Sequence, residues 1–295
     1  MSAGLLRSIW AELAAMPRAD LALRLLLVAL LFQPVGLHWL RPLFVAVAAL
    51  GLLSPRALRS PALWIGLTAL AIARLFSGWP NQDNHAFLLA WWLLAASLAA
   101  LAGEPDRILA WNGRRLIGLA FAFATLWKLV LSPDFVDGRF FRVSLVDDHR
   151  FEDFTRLAVG LDAGQLDDLR ALIHGDNDGL FVPQPDLPRP PARLFAVADV
   201  LTASTLAVEA AVAVAFLAPL GSWIARARHL LLALFCATTY ALAPVAGFGW
   251  LLLSMGVAQC EPEKERTRLV YLVAFLVVLF ATRWPWLDAL RGAWG

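Results

Sequence analysis

Apolar runs close to the length of a bilayer-crossing helix recur along almost the entire chain. They lie at about 21 to 37, 39 to 54, 61 to 77, 85 to 102, 114 to 131, 196 to 218, 227 to 243, 245 to 259 and 267 to 284. Spanning the hydrocarbon core takes roughly 20 helical residues, with a working range of about 17 to 25. The second and eighth runs fall at or below that limit, so the expected count is nine spans, give or take one. The composition agrees: 60% of the 295 residues are hydrophobic and only 16% are charged, against roughly 25% charged in soluble domains. The expected fold is therefore all-α, a polytopic membrane helical bundle of about nine transmembrane helices with one long extracytoplasmic loop. Pro34 to Gly36, Ser54-Pro55, Gly78 to Pro80, Gly103 to Pro105, Pro219 to Gly221 and Pro244 punctuate the runs.

Lysine and arginine placement sets an expected orientation. With nine spans, one side receives Arg7 and Arg18, then Arg56 and Arg59, then Arg107, Arg114 and Arg115, then Arg226 and Arg228, and last Lys264, Arg266 and Arg268. The opposite short loops carry only Arg41. This asymmetry predicts a cytoplasmic N-terminus, an external C-terminus, and an external loop at 132 to 195. Residues 1 to 20 read as an interfacial helix with Leu5, Leu6, Ile9, Trp10 and Leu13 on one side. They lack the compact apolar core of a signal peptide, so this segment is expected to stay. The region from 21 to 295 forms the transmembrane domain. Within the loop, Asp147 to Gly160 and Asp162 to His174 read as two amphipathic helices, the second capped by Gly175. The proline-dense stretch Phe181 to Pro191 must be extended. Cys236 and Cys260 sit about one span apart, too far for a bridge.

Polar groups inside these runs are the places to look for chemistry, because an ionisable side chain in lipid is costly. Lys128 stands near the end of the fifth run, in LIGLAFAFATLWKLVLSPDFVDG, followed by Ser132 and Pro133. Asp83, Asn84 and His85 enter the fourth run at the same expected depth. His38 lies on that side too. Glu209 falls mid-span in the sixth run, in LAVEAAVAVAF, and must be neutral, paired or turned to a cavity. Lys128 held in an apolar pocket has its neutral form favoured, as a base requires. His85 is its first expected partner, ahead of Glu209, with Asn84 beside it. Plainer readings stand next to these: Lys128 snorkelling to the headgroups, Asn84 and His85 capping a helix, Arg74 reaching the outer interface, and His229, beside Arg226 and Arg228, facing headgroups. There is no histidine pair at metal spacing, no phosphate-binding glycine loop, no nucleophile elbow and no nucleic-acid surface.

At these residues the chain resembles the horizontally transferred transmembrane (HTTM) family, bacterial relatives of the membrane domain of vitamin K-dependent gamma-carboxylase. NHAFLL at 84 to 89, the lysine segment with its FVDG turn running on to DDHRF at 147 to 151, the span around Glu209, and APVAGFGWLLLSMG at 243 to 256 carry the likeness. The resemblance implies a bacterial inner-membrane protein in which Lys128 deprotonates a reduced naphthoquinone, menaquinone or vitamin K hydroquinone. His85, Asn84, Asp83, Glu209 and His38 would then line the quinone and anion site on the outer face. A family His-Cys pair reads Phe235-Cys236 here, and the lysine is single where the carboxylase has two. Two functions are expected from these readings. One is a quinone-dependent carboxylase-related or redox modification enzyme acting at the lipid bilayer. The other is a non-catalytic immunity, maturation or assembly component that binds a peptide or protein partner through the 132 to 195 loop.

Overall fold

The computed structural model describes residues 8, 10–13, 15–32, 39–174, 191–242, 245–261 and 265–281. His38, Gly175 and the stretch from Phe181 to Pro190 lie outside them, as does the His174 side chain. The described residues are helical and contain no strand. In chain order the helices are α1 (Arg18–Phe32), α2 (Leu40–Leu53), α3 (Pro55–Leu58), α4 (Pro61–Ser77), α5 (Asn84–Ala102) and α6 (Pro105–Leu126). A π-helical turn, Trp127–Leu131, extends α6 and leads to α7 (Pro133–Val136), α8 (Arg139–Asp147), α9 (Glu152–Ala158) and α10 (Ala163–His174). The chain closes with α11 (Ala192–Leu217), α12 (Trp223–Arg226), α13 (Arg228–Leu242), α14 (Ala246–Ala258) and α15 (Glu265–Ala281). By length and composition α5 and α11 can cross a membrane, while α2 and α4 are shorter apolar helices.

Two compact units emerge from the packing. The first comprises residues 1–120, 212–237 and 245–284. Within it α1 packs on α2 and α14, α4 on α5 and α2, and α14 on α15. Trp64, Trp92, Trp250, Tyr271 and Phe44 are its largest fully buried side chains. Burying an indole leaves its N–H in need of an acceptor, and Trp64 Nε1 donates to the Leu58 carbonyl at 2.8 Å, fixing α4 against the end of α3. The Thr68 and Ser97 hydroxyls, 3.0 Å apart, join α4 to α5 in an otherwise apolar interface. On the outside of this unit Leu53, Phe76, Trp79 and Leu101 are all exposed.

The sequence predicts a short connecting loop at 103 to 113, whereas α6 already begins at Pro105. Gly103 ends α5 in the left-handed region, φ 69°, which only glycine enters cheaply. Pro105 then suits the first turn of a helix, where its missing N–H costs nothing. The connection is thus two residues long, and Arg107, Arg114 and Arg115 lie on a helix.

The second unit comprises residues 121–211, 238–244 and 285–295. Its core gathers Phe135, Phe141, Leu145, Phe151, Leu166, Leu194 and Leu201. Leu145 and Leu166 are fully buried, each contributing about 1.5–3 kcal/mol. The sequence predicts one helix from Asp147 to Gly160, but α8 ends there and α9 starts at Glu152 after a 3₁₀ turn. Gly138 starts α8 with φ 79°. A Cβ at that position would approach Asp199 Oδ1 to 2.8 Å, so the FVDG turn needs glycine for both conformation and space. Asp148 caps the 3₁₀ turn by accepting the Arg150 N–H.

Arg170 of α10 clamps this unit together. Its Nε donates to the Val146 carbonyl at 2.9 Å and its Nη2 to Glu152 Oε2 at 3.0 Å. The Arg170 hydrogen bond holds the Glu152 carboxyl below the usual carboxylate range, against burial and with help from His149. Arg150 does the same for Asp148. Because both folded values are depressed, their stabilisation is whole above the unfolded values of about 4 and is lost as pH falls through the folded ones. Hydrogen-exchange protection of amides 139–174, corrected for intrinsic rates, should therefore weaken as pH falls from about 5 to 3. Arg170→Met should be less protected at pH 6 and lose less on acidification. A pH dependence unchanged by Arg170→Met would remove Glu152 as its source.

Candidate functional site

Lys128 sits where α6 stops being an α-helix. Pro133 has no N–H to continue the helix and pushes the residue before it out of the α region, and Ser132 accordingly adopts φ −125°, ψ 81°. The turn before it, Trp127–Leu131, is π-helical, a rare geometry that widens a helix and is frequent at functional sites. Trp127, Leu129, Val130 and Leu131 present exposed apolar side chains. Lys128 differs from its neighbours: its Nζ donates to Glu209 Oε1 of α11. The same ammonium lies 4.9 Å from the centre of the Phe135 ring, within the range of a cation–π contact.

The pair is largely withdrawn from solvent, with 22% of the Lys128 and 9% of the Glu209 side chain exposed. Three side-chain polar atoms described in this unit are buried without a hydrogen-bond partner, Glu209 Oε2, Thr125 Oγ1 and Arg142 Nε, and the first two belong to the lysine pair and its own helix. Thr125 precedes Lys128 by three residues, which puts both on one helix face. The contact makes one charged pair in which the lysine occupies a single carboxylate oxygen of Glu209. The unpaired oxygens leave acceptor and donor capacity unused.

The Asp83, Asn84 and His85 group belongs to the other unit. Asp83 is the residue preceding α5 and makes no side-chain cap; Asn84 opens the helix. His85 lies with its ring 4.8 Å from that of Phe248, tilted by 36°, and Phe248 in turn meets Phe235 edge-on at 6.2 Å. Nearby, Gln82 Nε2 donates to the Arg74 carbonyl at 3.1 Å. The hydrogen-bonded partner of Lys128 is thus Glu209, which the sequence ranks behind His85. His38 lies outside the described residues.

Sequence reasoning did not single out Thr125 or Phe135. Thr125 is three residues from the lysine and open to discovery by helix spacing, whereas the Phe135 contact depends on how the chain turns at Pro133. His229 needs a correction. Instead of facing headgroups it is buried, with Nδ1 2.8 Å from the Tyr271 hydroxyl. That contact joins residues 42 apart, and nothing in the local sequence announces it. Cys236 and Cys260 are both free. No metal-holding group of histidine, cysteine, aspartate or glutamate occurs among the described residues. Comparison with protein-family models, curated proteins and solved structures finds no match.

Proposed function

We propose that this chain is an integral membrane protein of the bacterial inner membrane, crossing it about nine times in the manner of the HTTM family. In this reading Lys128 acts as the base in a quinone-dependent redox or carboxylase-related reaction at the outer face. The observation that carries the proposal is the Lys128–Glu209 pair, set beside a π-turn whose other side chains are apolar and exposed. An ion pair facing nothing costs more to bury than a well-packed apolar pair, so its presence in an apolar stretch argues for use.

The residues suit a reduced naphthoquinone. Apolar side chains of Trp127–Leu131 offer a surface for rings and an isoprenoid tail, and the orphaned Thr125 Oγ1 and Glu209 Oε2 offer polar ends. Such a quinol supplies two electrons and two hydroxyl protons when bound. Lys128 Nζ, in its neutral form, accepts a proton. Glu209 compensates the ammonium so created, and Phe135 faces the same charge. Asn84 and His85 are assigned by family resemblance alone to the anion side of the site.

A photoreactive naphthoquinone should label the peptide containing Thr125 and Lys128, and excess menaquinone should compete the label away. Labelling that avoids residues 121–136, or that menaquinone does not displace, would count against the quinone site. One observation favours the second reading, a protein-binding loop: Leu157 on α9 is 81% exposed beside a well-packed core. Under that reading Leu157→Asp releases a co-purifying partner and leaves quinone labelling unchanged.

A further inference from the structure

In the second unit, the turn from α9 to α10 borders an open hollow of about 350 Å³, lined by Arg156, Leu157, Gly160, Leu161 and Asp162. Its two leucines differ. Leu161 belongs to the packed core of the unit, whereas Leu157 is 81% exposed. Arg193, at the start of α11, reaches the same place, because its Nη1 lies 3.9 Å from where a Cβ on Gly160 would stand. Gly160 itself has φ 84°, a conformation that favours glycine. Asp162 is the carboxylate of the lining, and it is engaged in capping α10: its Oδ1 accepts the Gln165 N–H at 2.8 Å, while Gln165 Oε1 accepts the Asp162 N–H at 3.0 Å.

Four other described arginines of this unit, Arg139, Arg142, Arg150 and Arg170, each have a carboxylate partner. Arg156 and Arg193 are the exceptions, for among the described residues neither makes a hydrogen bond or an ion pair. Both are accessible, Arg156 half-buried and Arg193 exposed, and they converge on one hollow beside an exposed leucine. Planar guanidinium forks match carboxylates, and Leu157 offers the apolar contact next to them. We propose that this hollow docks an acidic, aliphatic peptide segment of a partner protein, whose aliphatic side chain lies on Leu157 and whose carboxylates meet Arg156 and Arg193. The proposal rests on the protein-binding reading of the loop and gives the partner its chemistry. A bilayer surface fits less well: a helix lying in the interface buries a row of apolar side chains, and Leu157 alone is exposed on α9.

Random hexapeptides displayed on phage, selected against the full chain in neutral detergent, test this, with the enriched peptide then titrated by fluorescence anisotropy. Enriched sequences should set Asp or Glu beside Leu, Ile or Val. The double variant Arg156→Gln with Arg193→Gln should weaken binding at least about tenfold, because two charge-assisted contacts are lost. Its unfolding midpoint should match the wild type, since neither arginine holds another described residue. Asp162→Asn keeps the cap of α10 and removes a like charge from the hollow, so it should tighten binding by about two- to fivefold, the worth of one exposed charge contact. Leu157→Asp should abolish binding. Loss in Leu157→Asp with full binding in the double arginine variant overturns the proposal and leaves the docking reading standing; full binding in Leu157→Asp removes both. Enrichment without acidic residues, or no enrichment, also overturns it. So does displacement of the peptide by phosphatidylglycerol but not by phosphatidylcholine, which assigns the hollow to lipid headgroups.

Discussion

Glu209→Leu should destabilise the protein by about 3–5 kcal/mol, the cost of leaving one member of a buried ion pair without its partner. Lys128→Met should cost a similar amount, because it strands the Glu209 carboxylate, which already has one oxygen unsatisfied. Combining the two should restore most of the loss, since a Met–Leu pair of similar bulk needs no counter-charge and such exchanges are often neutral or stabilising. Unfolding in mixed micelles, read as a double-mutant cycle, isolates the coupling. A pair held only at the surface would give about 0–1 kcal/mol for each single variant. Single variants that small would mean that Lys128 and Glu209 do not meet in an apolar setting.

Gly256→Val should produce the second large effect, about 3 kcal/mol, through overpacking. A Cβ at Gly256 would come within 2.7 Å of the Tyr271 ring. That ring is fully buried and held by His229, so it cannot swing aside. Exchanging glycine for another residue in a helix gains up to about 1 kcal/mol in propensity, which the clash outweighs. Gly51 provides the contrast. Its nearest neighbours are the methyl ends of Leu27 and Leu63, which can change rotamer, so Gly51→Ala should stay within about 1 kcal/mol. Equal effects at the two glycines would show that Tyr271 is free to move.

The helices were largely legible from their apolar runs, because length and punctuation by proline and glycine act locally. Pro61–Ser77 and Asn84–Ala102 match the expected runs almost to the residue. Failure comes first at 103 to 113, expected as a loop, where a long helix runs from Pro105 instead and carries the charges. It comes again at α8, where the glycine at 138 makes a helix start that apolar periodicity does not mark. Lys128 and Glu209 could each be picked out as ionisable groups in apolar surroundings. Their contact could not, since 81 residues separate them and a period of 3.6 says nothing about which helices become neighbours. The same limit hid Tyr271 behind His229.

Lys128→Arg gives the most direct test of the central claim, that Lys128 works as a base. Arginine keeps the positive charge and can still donate to Glu209, so the variant should fold and insert. A guanidinium does not give up its proton in proteins, so base function is lost while the ion pair is kept. The measurement is oxygen uptake driven by reduced naphthoquinone, in purified protein reconstituted with lipid. Wild-type protein should turn over, and Lys128→Arg should fall by about 10²–10⁴-fold, the usual worth of a general base, at unchanged stability. Undiminished turnover in Lys128→Arg would contradict the account, and so would a wild-type rate no faster than that of empty vesicles.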